Sequence, residues 1–193
     1  GYYQSLNRDG SPILRDSTFD STSEIGYKDQ NSSIHLLEAF TELYKVWPEK
    51  LVAERLEELL LLIRNTIVND RNYMNLFFEP DWTPVTFNEE TKDIIKKHYY
   101  LDHVSFGHDV EIAYLMLEAS EILKRKDTEE TLLKGKMMVD HAIENGWYKA
   151  FGGFYDGGYY FGADQSLTIV NSDKNWWSQA EGLNTLLIMQ HHF

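Results

Sequence analysis

The chain of 193 residues has the length of one domain, and its 42% hydrophobic and 25% charged content excludes an intrinsically disordered protein. No stretch reaches the roughly 18 uninterrupted apolar residues of a membrane span, and a formal charge of -13 repels nucleic acid and anionic lipid. Aromatic residues at 14% exceed what a small core needs, so a neutral partner that meets flat rings fits the composition.

In chain order, residues 1–30 are polar and turn-rich and read as a loop or short hairpin. Leu36, Leu37, Phe40, Leu43 and Tyr44 then recur at helical spacing until Pro48 stops the run. A second helix follows, with Val52, Leu56, Leu59, Leu60, Ile63 and Ile67 on one stripe and Glu54, Glu57, Glu58 and Arg64 on the wet side. The aromatic stretch Tyr73 to Trp82 alternates like a strand pair, and the polar segment from Thr83 to about His98 reads as an inserted loop. Helical spacing resumes after Gly107, through Val110, Ala113, Tyr114, Leu117 and Ile122. The next helix runs from an N-cap at Thr128 to a C-cap at Gly146. The Gly-rich run from Phe151 to Tyr160 predicts tight turns between short strands, and a last helix starts near Trp176.

The order helix, helix, aromatic loop therefore repeats. His35 to His108 is 73 residues and His108 to Trp177 is 69, so each unit is about 70 residues long. Helical hairpins repeated in this way stack side by side.

His108 and Glu111 lie three apart at a helix start, which puts them on one face, where the carboxylate can orient or charge the imidazole. Asn31 and His35 share a face one unit earlier, and Gln179 and Glu181 open the third unit. If these first helices line a common cavity, His35, His108 and Glu111 converge there, with Trp176 or Trp177, Phe77, Phe78 and Trp82 as stacking faces. Flat rings beside amide, carboxylate and imidazole groups suit a sugar, with its apolar CH faces and hydroxyl edges. His98, His103, His141, His191 and His192 lack such company and are read as structural or surface residues. No cysteine is present, the spacing of His35, His108 and Glu111 matches no metal-ligand motif, and no Gly-x-Ser-x-Gly elbow occurs. A metal site is not expected.

Four blocks together carry a resemblance: Asn31-Ser32-Ser33-Ile34-His35, Asn75-Leu76-Phe77-Phe78-Glu79-Pro80-Asp81-Trp82, Ser105-Phe106-Gly107-His108-Asp109-Val110-Glu111, and Lys174-Asn175-Trp176-Trp177-Ser178-Gln179-Ala180-Glu181. In this order they resemble the N-acylglucosamine 2-epimerase family, and most closely its cellobiose 2-epimerase branch. The resemblance implies an all-α fold, an (α/α)6 barrel of helical hairpins with short β-hairpin loops. It also implies reversible inversion at C2 of a reducing-end aldose, with no nucleotide or metal cofactor and a cytoplasmic location. By the same resemblance His108 removes the C2 proton to give an enediolate. Glu111 orients His108, His35 assists near the sugar oxygens, Asn31 is a polar ligand, and Trp177, with Trp176, stacks on the sugar. Return of the proton to C1 would instead give an aldose-ketose isomerase, and a barrel without turnover would be a carbohydrate-binding protein.

The family's second acid/base His, in a Trp-Lys-Gly-Pro-Tyr-His-Asn type motif, has no counterpart before Phe193, and the first hairpins have none after Gly1. The expectation is that residues 1–193 form a single partial α/α-barrel domain of a chain of about 400 residues, inactive alone. Its partner would be a neutral mono- or disaccharide, with no nucleic acid and no membrane, and its uncovered helix faces would favour self-association.

Overall fold

The computed structural model describes residues 2–162 and 166–193. Strand β1 (Lys28–Asp29) runs directly into helix α1 (Gln30–Val46), because Asp29 caps it: the Asp29 Oδ1 accepts a hydrogen bond from the Ser32 amide at 2.6 Å. The helix ends at Trp47, which the ring of Pro48 keeps out of helical geometry. Helix α2 (Lys50–Leu62) packs against α1 and buries Val52, Leu56, Leu59 and Leu60.

The predicted stripe continues to Ile67, but the last turn differs. Residues Ile63–Ile67 form a π-helix closed by the Val68 amide donating to the Ile63 carbonyl at 2.9 Å. The wider turn keeps Ile63 and Ile67 in the core while bringing Arg64 inward, where it is 6% exposed. Its guanidinium meets the Asp127 carboxylate at 2.9 Å and the Thr131 hydroxyl at 3.0 Å.

Strand β2 (Phe77–Phe78) pairs antiparallel with β1. The segment read as an inserted loop contains a helix, α3 (Lys92–His98), followed by a single 3-10 turn, Tyr99–Leu101. It shows no apolar stripe because only Ile95 and His98 of α3 turn inward. Strand β3 (Val104–Ser105) leads into α4 (Phe106–Ile122), and α5 (Thr128–Gly146) returns against it. Strands β4 (Gly157–Tyr160) and β5 (Leu167–Asn171) complete a three-stranded antiparallel sheet in the order β3-β4-β5, and α6 (Trp176–His192) follows.

Both predicted caps of α5 are corrected. The N-cap position is Asp127, not Thr128, and its carboxylate makes no capping bond because Arg64 and Arg125 hold it. Those hydrogen bonds keep the Asp127 carboxyl well below its usual range. Thr128 donates instead to the Arg125 carbonyl at 2.9 Å. Gly146 is the last helical residue rather than a left-handed cap, and it clears space: a Cβ there would lie 2.5 Å from Cγ of Phe106.

Helices α1, α4 and α6 lie side by side, with α2 behind α1 and α5 behind α4. Helix α4 is therefore enclosed, and 12 of its 17 residues are buried. Its packing on α1 and α2 gathers Ile34, Leu37, Leu56, Ile112, Leu115 and Met116 in the largest core cluster. Towards α5 the backbones approach closely, since a Cβ on Gly135 would lie 2.9 Å from the Ala113 carbonyl oxygen. Thr185 of α6 donates to the Val110 carbonyl at 2.7 Å. No helix among the described residues is long and apolar enough to cross a membrane.

Asp109, fully enclosed in the first turn of α4, accepts a hydrogen bond from the Met74 amide at 2.8 Å. Burial pushes its carboxyl well above the usual range. Asp109→Ala leaves the Met74 N–H buried without a partner and should lower stability by about 1–3 kcal/mol in chemical denaturation, whereas Asp109→Asn, which keeps an acceptor, should lose less.

Candidate functional site

The N-terminal turns of α1, α4 and α6 open onto one pocket of about 430 Å³. Gln30 and Asn31 come from α1, His108 from α4 and Trp177 from α6, while Asp29 and Ser105 supply the strand ends that enter the first two helices. Phe77 of β2, with Tyr100 and His103 of the excursion before β3, completes the wall. The short strands matter here because β1-β2 and β3-β4 fix where α1 and α4 begin.

His108 stands between Ser105 and Trp177. Its Nδ1 lies 2.8 Å from the Ser105 hydroxyl, and the Trp177 ring is 4.7 Å away at 47°. Gly107 makes this approach possible, because a Cβ there would meet Ser178 Oγ at 2.3 Å and Cη2 of Trp177 at 2.7 Å. Burial lowers the His108 pKa to about 4, and the nearby His103 and His35 reinforce the shift. The imidazole is thus neutral at physiological pH. When Ser105 accepts the Nδ1 proton, Nε2 is free as a base.

Two buried acceptors at the pocket, Asp29 Oδ2 and Gln30 Oε1, have no hydrogen-bond partner among the described residues. Burial also raises the Asp29 carboxyl above its usual range, against the opposing hydrogen bonds from Ser32. His103 donates its Nδ1 proton to the Tyr99 carbonyl at 3.1 Å, which leaves its Nε2 as a further acceptor. Acceptors beside aromatic faces match a ligand rich in hydroxyl donors.

Of the residues nominated from sequence, the structure brings Asn31, Phe77, His108 and Trp177 together in this pocket. The others lie elsewhere. Glu111 is buried in α4 but does not hold His108; the Nδ1 bond goes to Ser105. Burial, with Glu181 and Glu38 adding to it against the opposing His35, pushes Glu111 up to about 7. His35 is half exposed and pairs with Glu38 at 3.2 Å. Glu181 accepts from the Tyr114 hydroxyl at 2.9 Å. Gln179 is engaged in holding the backbone of Phe154, accepting from its amide at 2.8 Å and donating to its carbonyl at 2.9 Å. Trp82 has a left-handed backbone and packs on Phe78 beneath the Lys28 ammonium, and Trp176 is 82% exposed.

Sequence reasoning missed Asp29, Gln30, Ser105, His103 and Tyr100. Ser105 carried a readable signal, since it lies three residues before His108 across a helix start. His103 and Tyr100 carried none, because the 3-10 turn that faces them to the pocket has no apolar pattern. Among the described residues no group of three or more His, Cys, Asp or Glu is placed to hold a metal ion.

In an NMR pH titration His108 should stay neutral until pH falls to about 4. Because that value lies below the ordinary 6.5, His108 contributes stability that is present above pH 6.5 and lost as pH falls from 6.5 towards 4. A midpoint near 6.5 would contradict the burial described here.

The sequence profile of the N-acylglucosamine 2-epimerase (GlcNAc 2-epimerase) family matches residues 1–192, and the chain belongs to this family. It is similar to cellobiose 2-epimerase of Bacteroides fragilis, with 27% identity over 184 residues, 94% of this chain and 41% of that protein. Among solved structures, a sugar epimerase from a ruminal bacterium aligns with a TM-score of 0.76 at 22% identity, covering 100% of this chain and 43% of that one. Cellobiose 2-epimerase from Spirochaeta thermophila gives a TM-score of 0.72 at 23% identity, covering 100% and 43%. These structures share the fold, and the described hairpins correspond to part of an (α/α)6 barrel. The chain spans about two fifths of the length of these relatives.

Proposed function

With membership of the N-acylglucosamine 2-epimerase family as premise, we propose that the protein acts in inverting C2 of a neutral, reducing-end aldose, with His108 moving the proton. The open-chain sugar gives hydroxyl protons to Asp29 and Gln30, meets Asn31 at an edge, and lays an apolar face against Trp177. His108 Nε2 takes the proton from C2, the C–H electrons form the C1–C2 double bond, and the carbonyl electrons move to O1, giving an enediolate. The negative charge beside the new imidazolium offsets the burial that otherwise disfavours it. A proton delivered to the opposite face of C2, by water or by an acid outside the described residues, restores the aldehyde with the centre inverted, and His108 then releases its proton to solvent.

The observation that carries this reading is the neutral His108 imidazole, fixed by Ser105 and flanked by Trp177, in a pocket with unpartnered acceptors. A base must be unprotonated to accept a proton, and flat rings beside polar groups suit a hydroxyl-rich ligand. Neither Glu111 nor His35 is bonded to His108, whose Nδ1 partner is Ser105.

Incubation of the intact protein with cellobiose, mannose and N-acetylglucosamine in deuterated water should place deuterium at C2 of at least one of them, read by NMR. His108→Asn should slow that exchange by about a hundredfold or more. Exchange with none of the three sugars would overturn the proposal, and sugar binding without exchange would make this a carbohydrate-binding protein.

A further inference from the structure

The pocket has one aromatic wall whose part is not accounted for by the chemistry at C2. Phe77 and Trp177 are partly buried, but Tyr100, which lines the same pocket, is 68% exposed. One face of its ring rests on Tyr99, with centroids 4.1 Å apart, and its edge meets His103 at 6.0 Å and 88°. Phe151 and Trp176 are also exposed, yet neither lines the pocket.

The ring is presented on a rigid base. The Tyr99 carbonyl accepts from the Asp102 amide at 3.3 Å, the His103 amide at 2.9 Å and the His103 imidazole at 3.1 Å. Asp102 accepts in turn from the Phe87 amide and the Tyr159 hydroxyl, both at 2.7 Å, and Leu101 is 2% exposed beside Tyr27 and Val85. An aromatic face held still in water at the edge of a pocket is preorganised for a flat apolar surface, and little conformational freedom is lost when one docks.

We propose that Tyr100 is the platform for the second ring of a disaccharide whose reducing end lies against His108, and that it sets the preference for a disaccharide over a monosaccharide. This rests on the reading of the pocket as an aldose site. The second ring stacks its CH face on Tyr100 while His103 Nε2 accepts from one of its hydroxyls or from the linkage-side hydroxyl of the first ring.

The test compares cellobiose with glucose, which share a reducing end and differ by one ring, in the intact protein and in Tyr100→Ala and Tyr100→Phe. The exposed position lets both variants fold, which circular dichroism checks. Tyr100→Ala should raise KM for cellobiose over that for glucose by roughly three- to tenfold, the value of one aromatic contact, while Tyr100→Phe keeps the preference. Equal changes on the two sugars, or an equal loss in Tyr100→Phe, overturn the platform and leave the epimerase reading standing. Calorimetric titration of the same sugars separates the two ideas: selective weakening of cellobiose binding without C2 exchange supports the platform and sinks the epimerase reading. Absence of binding to either sugar overturns both.

Discussion

The enclosure of α4 is the constraint on which the rest of the structure depends. A helix that packs on α1, α2, α5 and α6 cannot keep a polar face, and its residues inward of the first turn are almost all apolar or small. Asp109 and Glu111 are the charged exceptions. The Asp109 side chain reaches across to the Met74 amide, so the chain leaving α2 is fastened to the start of α4 by one bond inside the core. The bond sits one residue from His108, and so the same contact that orders the loop also fixes the depth at which the imidazole stands.

From that position the electrostatics follow. Burial discourages charge on both signs of group at this end of the fold: it lowers His108 and His103 and raises Asp29, Asp109 and Glu111. Charge is thus discouraged at the starts of these helices in a chain whose formal charge is -13. Arg64, Arg125 and Asp127 show the opposite arrangement on the far side of the helices, where a buried cation is tolerated because its carboxylate partner is close.

The hairpin repeat was legible because apolar residues at helical spacing survive any detail of packing. His108 stood out for a related reason: it follows a glycine at a helix start, in the position His35 holds one unit earlier. What was not legible depends on distant partners. Thr128 has the chemistry of a cap, but Arg64 decides how the start of α5 is bonded by drawing Asp127 to itself. The π-turn at Ile63–Ile67 keeps an apolar spacing close to that of an α-helix. The polar run before β3 hides α3, since a seven-residue helix burying two side chains leaves no periodic trace. Gln179 has the look of a sugar ligand, yet its amide satisfies the backbone of Phe154, a demand visible only once the loop is folded.

Gly107 touches no ligand and carries no functional group, but it governs how near Trp177 comes to His108. The spacing between imidazole and indole is thus set by the absence of a single methyl group. Any side chain at this one backbone position would have to push the indole and Ser178 back, and so would alter the width of the pocket beside His108 without replacing any of its polar groups.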